Sequence, residues 1–183
     1  MDMKWNLLDF HSDLLKLIIA DVDVCSRVIL RLTCRKMHAI LGQKKAKGDM
    51  RLLNQSAKAG YLDIVKYLIS HNFRPDESTC AYSAFGGHIH VLQYLRAEGC
   101  HLGWSSITYA VSGGHLHVLK WLRSQDCPMN TTACAAAAVY DRLDILKWLR
   151  SEGCPWDHMT AYYARHYGHV EVLEWAIENG CPE

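Results

Sequence analysis

Eight cysteines and eleven histidines stand among the 183 residues, and several recur at a spacing that suggests metal chemistry. Cys100, Cys127, Cys154 and Cys181 follow one another at intervals of 27 residues. A zinc ion would need its thiolates within about 2.3 Å, and a disulfide needs its two Cα atoms within about 7 Å. Residues at one place of successive packed units stand about 10 Å apart, the distance between packed helices. The ladder therefore cannot converge on one ion and is expected to fill small core positions, where free cysteine is at home. His88-Ile89-His90 and His115-Leu116-His117 resemble metal pairs, but residues two apart on a helix point about 200° apart. A structural place at the opening of a helix suits them better. No phosphate loop, dinucleotide turn, zinc-protease helix or nucleophile-base spacing occurs in the sequence. An enzyme, a metal site and a cofactor are not expected.

These residues belong to a string that returns five times. It opens at Gly60-Tyr61-Leu62, Gly87-His88-Ile89, Gly114-His115-Leu116, Asp141-Arg142-Leu143 and Gly168-His169-Val170, each start 27 residues after the last. Small pairs (Ser56-Ala57, Ser83-Ala84, Ala110-Val111, Ala137-Ala138) precede it and predict a first helix, A, that packs closely on its neighbours. The glycine stops that helix, and Leu62, Ile64, Val65 and Leu68 then give the apolar face of a second, B. Gly99, Gly153 and Gly180 end helix B, and Pro128, Pro155 and Pro182 keep the chain from continuing it. A two-helix unit can bury its faces only on its neighbours, so the expectation is an all-α solenoid. Tyr67, Tyr94, Trp121, Trp148 and Trp175 form an aromatic column for packing between units, while Arg96, Arg123 and Arg150 read as a solvated stripe.

The units resemble ankyrin repeats: Ser78-Thr79-Cys80 through Ala84, Gly87-His88 and Gly99-Cys100 occupy consensus positions, and the other units follow. Ankyrin repeats run about 33 residues, so these are shorter by the β-hairpin finger, and five fingerless units are expected at 51–77, 78–104, 105–131, 132–158 and 159–183. In the last, Arg165 replaces the small residue of helix A and Ala176 replaces the leucine of helix B, as a terminal cap would require. The resemblance implies that partners bind along helix A. Its variable positions nominate Phe85, Tyr140, His166 and Tyr167, and the loop tips add Trp104 and Trp156, residue types that anchor protein interfaces.

Residues 1–47 form a separate segment. The first fifty residues hold nine Lys and Arg against six Asp and Glu, a charge of +3, whereas the rest holds eleven against thirteen. Residues 13–20 have the density of a short buried helix, and Val28, Leu30, Leu32 and Met37 belong to one or two more. Aligned without gaps from Phe10, the segment resembles an F-box: Asp13-Leu14-Leu15, Ile18-Ile19, Val22-Asp23, Leu30, Thr33-Cys34-Arg35 and Met37 fall on its pattern. His11, Ser26-Arg27 and Met37 depart from its proline, Asp-Leu pair and tryptophan. The resemblance implies that Phe10, Leu14, Leu15, Ile18, Val22, Cys34 and Met37 dock on, or support docking on, the small adaptor subunit of an SCF-type ubiquitin ligase.

Half the residues are apolar and 21% are charged, which excludes a disordered chain. The longest uncharged apolar stretch, residues 131–140, is far short of the roughly 20 needed to span a bilayer. The first residues lack a secretory pattern, and a net charge of +1 gives no footprint for nucleic acid. The expectation is a cytoplasmic, monomeric adaptor that binds a ligase through its head and holds a protein substrate on its array. F-box and ankyrin combinations with this string resemble proteins of large DNA viruses of amoebae, which would place the partner in host cytoplasm or nucleus. The competing reading is a scaffold or competitive binder whose N-terminal helices only cap the array.

Overall fold

The structure, a computed structural model, describes residues 50–70 and 72–183. The head residues Phe10, Leu14, Leu15, Ile18, Val22, Cys34 and Met37 lie outside the described residues.

The described residues fold into ten helices joined by turns, with no strand among them. They alternate as A and B helices of five units: α1 (Met50–Lys58) and α2 (Leu62–Ser70), α3 (Glu77–Phe85) and α4 (Ile89–Ala97), α5 (Trp104–Gly113) and α6 (Leu116–Ser124), α7 (Thr131–Val139) and α8 (Leu143–Ser151), α9 (His158–Tyr167) and α10 (Val170–Glu178). No β-hairpin separates the units, so the fingerless all-α solenoid expected from the spacing is what forms.

Local chemistry sets the helix ends. Asp76 accepts a hydrogen bond from the Thr79 amide at 3.0 Å, and Thr79 Oγ1 accepts one from the Asp76 amide at 3.3 Å, a reciprocal cap that starts α3. Asp157 does the same for α9 through the Met159 amide. The A-to-B turn needs one residue in the left-handed region. Gly60, Gly87, Gly114 and Gly168 supply it without a Cβ penalty, and Asp141 takes the same place at φ 54°. The glycines also admit the next unit: a Cβ on Gly60 would lie 2.6 Å from the His88 ring.

One continuous core runs through the stack. The A helices contribute Ala57, Ala84, Val111 and Ala138, all inaccessible, and the small side chains allow A to pack close on A. The B helices contribute Val65, Leu92, Leu119 and Leu146 and touch one another less than the A helices do. Arg165, in the small-residue column, is exposed and pairs with Glu183 at 3.1 Å. The aromatic column of helix B is half-buried against the core, and Lys66 and Lys147 from preceding units lie over Tyr94 and Trp175.

The histidines join the units. His90 Nε2 and His117 Nε2 each lie 3.1 Å from the carbonyl of the preceding unit's turn glycine, Gly60 and Gly87, and His169 Nε2 lies 3.1 Å from the Val139 carbonyl. His88 and His115 bond the Lys58 and Phe85 carbonyls in the same way. Carbonyls that a helix C-terminus leaves unpaired thus find donors one unit away. Among the described residues, no helix is long and apolar enough to cross a membrane, and no three His, Cys, Asp or Glu side chains gather as metal ligands would.

Candidate functional site

The A helices present one outward face, some of whose side chains also pack on the neighbouring unit. Three consecutive columns of that face carry Tyr82, Tyr109, Ala136 and Tyr163; Ala81, Thr108, Ala135 and Tyr162; and Phe85, Ser112, Val139 and His166, each residue 27 after the one before. Their composition gives the face its relief.

On the N-terminal side, Tyr109 stands 37% exposed and meets Tyr82 edge-on at 5.6 Å and Phe85 at 6.3 Å. Lys58 Nζ lies 4.3 Å above the Phe85 ring, a cation held over an aromatic face. A shallow cleft opens between α3 and α5, lined by Glu77, Ser78, Ala81, Tyr82, Ser105 and Tyr109. Glu77 closes its upper end by accepting a 2.6 Å hydrogen bond from Ser105 Oγ.

On the C-terminal side, Tyr162 and Tyr167 are about half exposed. His166 stacks on Tyr162 at 5.8 Å and meets Tyr167 edge-on at 5.0 Å, and Tyr167 stacks in turn on His169. Between these two ridges α7 places Ala135 and Ala136, each 9% exposed, with exposed Thr132 before them and half-buried Val139 after them on the helix. An alanine floor thus separates two aromatic ridges. The charged groups named at this face, Lys58, Glu77 and Arg165, stand at its ends. That arrangement suits a polypeptide segment whose apolar side chains enter the trough, since Tyr supplies contact area at low entropic cost together with a polar tip.

The nominated residues distribute unevenly over this surface. His166 and Tyr167 belong to the C-terminal ridge, and Phe85 supports the N-terminal one from a half-buried place under Lys58. Tyr140 is 48% exposed at the end of α7, beside the floor. Two expectations need correction. Trp104 is not a loop tip: it is the first residue of α5, 49% exposed. Trp156 is not a free loop tip either. It is half-buried, edge-on to Trp175 at 6.0 Å with the Arg150 guanidinium 4.2 Å above it, because that turn folds back on α10. Arg150 accordingly leaves the solvated stripe, while Arg123 pairs across units with Glu152 at 3.3 Å. Tyr82, Tyr109 and Tyr162 were not nominated, although the 27-residue recurrence of Tyr82, Tyr109 and Tyr163 was readable in the sequence.

The cysteine ladder is buried, as its spacing requires: Cys100, Cys127, Cys154 and Cys181 are each no more than 7% exposed. Cys127 donates to the Gly103 carbonyl, and burial pushes its thiol up to about 11.

Comparison with known proteins agrees with this geometry. The family model described as "Ankyrin repeats (3 copies)" matches residues 82–160, and the F-box domain model matches residues 7–46. Among solved structures, the ankyrin repeat domain of human ASB11 is similar at 17% identity and a TM-score of 0.56, over 70% of this chain and 69% of that one. That likeness shows the fold. The pentatricopeptide repeat protein PPR10, solved with an 18-nt psaJ RNA element, matches at 15% identity and a TM-score of 0.38, over 96% of this chain and 34% of that one. The PPR10 likeness is too low to carry weight. Comparison with curated proteins gives no match.

Proposed function

We propose that the chain is a protein-interaction adaptor that joins an SCF-type ubiquitin ligase to a captured protein. The observation that carries the reading is the presence in one chain of a segment matched by the F-box domain and an array matched by ankyrin repeats. In this reading Leu14, Leu15 and Ile18, with Phe10, Val22, Cys34 and Met37, serve the ligase adaptor subunit. The trough between the Tyr109 and Tyr162 ridges holds an apolar segment of the substrate, and Tyr140, His166 and Tyr167 line its approach. Stacked repeats present such extended surfaces without any catalytic group, so the bound protein would be modified by the ligase and not by this chain. A virus-host setting would make the captured protein a host protein.

Affinity recovery with the full chain from a eukaryotic lysate tests both contacts. The intact chain should recover ligase subunits together with further proteins. Leu15→Asp should lose the ligase subunits alone, because an unpaired carboxylate is costly at an apolar contact. The double variant Tyr109→Ala with Tyr162→Ala should lose the other proteins alone, with unchanged circular dichroism. Recovery of ligase subunits that Leu15→Asp leaves intact would contradict the head assignment.

A further inference from the structure

Two members of the cysteine ladder have a thiol partner that the ladder itself does not contain. Cys80, on the second turn of α3, places its Sγ 2.9 Å from Cys100 Sγ, on the turn leaving α4. Cys134, on α7, and Cys154, on the turn after α8, hold the same two places of the fourth unit, 54 residues on. Both pairs lie 20 residues apart and within a single unit, the second and the fourth. In the third and fifth units the helix A place holds Ile107 and Ala161, so Cys127 and Cys181 face no sulfur from it. In the first unit the two places hold Leu53 and Phe73. The array therefore carries one preformed dithiol, a second cysteine pair at the equivalent places, and two cysteines, Cys127 and Cys181, that bond backbone carbonyls and face no helix A sulfur, which serve as internal controls.

We propose that Cys80 with Cys100, and Cys134 with Cys154, are oxidation sites at which peroxide forms one disulfide within each of the second and fourth units. The Cys80 and Cys100 sulfurs are already close, and closing from 2.9 Å to the about 2.05 Å of a disulfide needs a movement smaller than a rotamer change. The direction of attack is set by the thiol hydrogen bond. The Cys80 S–H donates to Cys100 Sγ, which holds the Cys100 thiol below its usual range and raises that of Cys80. Cys134 lowers Cys154 and is itself raised in the same manner. The thiolate is the nucleophile, and the more readily ionised member is Cys100 in the first pair, whose Sγ also lies 3.0 Å from the Asp76 carbonyl, and Cys154 in the second. Both side chains are themselves buried, Cys100 at 7% and Cys154 at 0% exposure, on turns whose neighbours, Gly99 and His101 for one and Gly153 and Pro155 for the other, are exposed.

The chemistry balances in two steps. The Cys100 thiolate attacks one oxygen of hydrogen peroxide, the O–O bond breaks, and a sulfenic acid and hydroxide result. Cys80 sulfur then displaces the sulfenic oxygen, which leaves as water with the Cys80 proton, and the S–S bond forms. Two electrons pass from the two sulfurs to each peroxide. The product links the start of helix A to the turn after helix B, restricting the unfolded chain and fixing α3 and α7, the helices beneath the N-terminal ridge and the alanine floor.

The test uses the full chain, reduced and then exposed to hydrogen peroxide under native conditions, with remaining thiols alkylated and peptides mapped without reduction. Two crosslinked peptides are expected, Cys80 to Cys100 and Cys134 to Cys154, each lighter by two hydrogens, with Cys127 and Cys181 alkylated. The melting temperature should rise on oxidation and return with reductant. Cys80→Ala should keep its helical signal, lose the first crosslink and leave the second. The proposal is overturned if Cys100 is oxidised no faster than Cys127, if pairings other than these two dominate, or if crosslinks form only in denaturant.

Discussion

Protonating His88 or His115 adds a charge at a junction that burial has made inhospitable to it. Burial is the main cause that lowers both, with His90 adding to it for His88 and His117 and Arg142 for His115, while the Lys58 and Phe85 carbonyls pull the other way. A histidine lowered in the folded state binds its proton more readily when unfolded. Its contribution is then complete above the unfolded value of about 6.5 and is lost as pH falls through and below it. The urea midpoint should therefore drop between neutral and mildly acidic pH, and the drop should shrink in His88→Asn with His115→Asn. A midpoint that rises on acidification would contradict the sign. The non-glycine residue at the A-to-B turn gives a second test at this scale. Asp141 holds a left-handed φ of 54° where the other units use glycine, so Asp141→Gly should stabilise the chain by about 1 kcal/mol in equilibrium unfolding.

A helix pair was legible from the residues because three signals recur together in most units: small residues on A, a glycine at the turn, and an apolar stripe on B. The 27-residue period was sufficient to expect the stack, and burial of Val65, Leu92, Leu119 and Leu146 follows it. The site was legible only in part. Sequence columns nominated Tyr140, His166 and Tyr167, but exposure depends on what the next turn covers, and no column shows that Trp156 folds onto Trp175 and Arg150. The Cys80 and Cys100 pair is not visible in the ladder, because the period relates Cys100 to Cys127 and Cys154, whereas its contact with Cys80 runs across one unit. At this scale the packing makes a further prediction. Leu119, wholly buried in the central unit, should cost about 3 kcal/mol when cut to alanine. Tyr109→Ala, on the open face, should cost less than about 1 kcal/mol. Equal losses in urea titrations would mean that the A face is part of the core.

Across the whole molecule, units stacked on their neighbours hold one surface in a fixed shape, and in the proposed reading the head engages something else. That separation of contacts is the central claim, and it predicts that binding at the head is independent of the trough. The most direct measurement is a calorimetric titration of the purified small adaptor subunit of an SCF-type ligase into the full chain, into Leu15→Asp, and into the double variant Tyr109→Ala with Tyr162→Ala. Saturable binding of equal affinity to the intact chain and the double variant, with none to Leu15→Asp, is the predicted result. Absence of binding to the intact chain up to high micromolar concentration, or loss of binding in the double variant, would contradict the account.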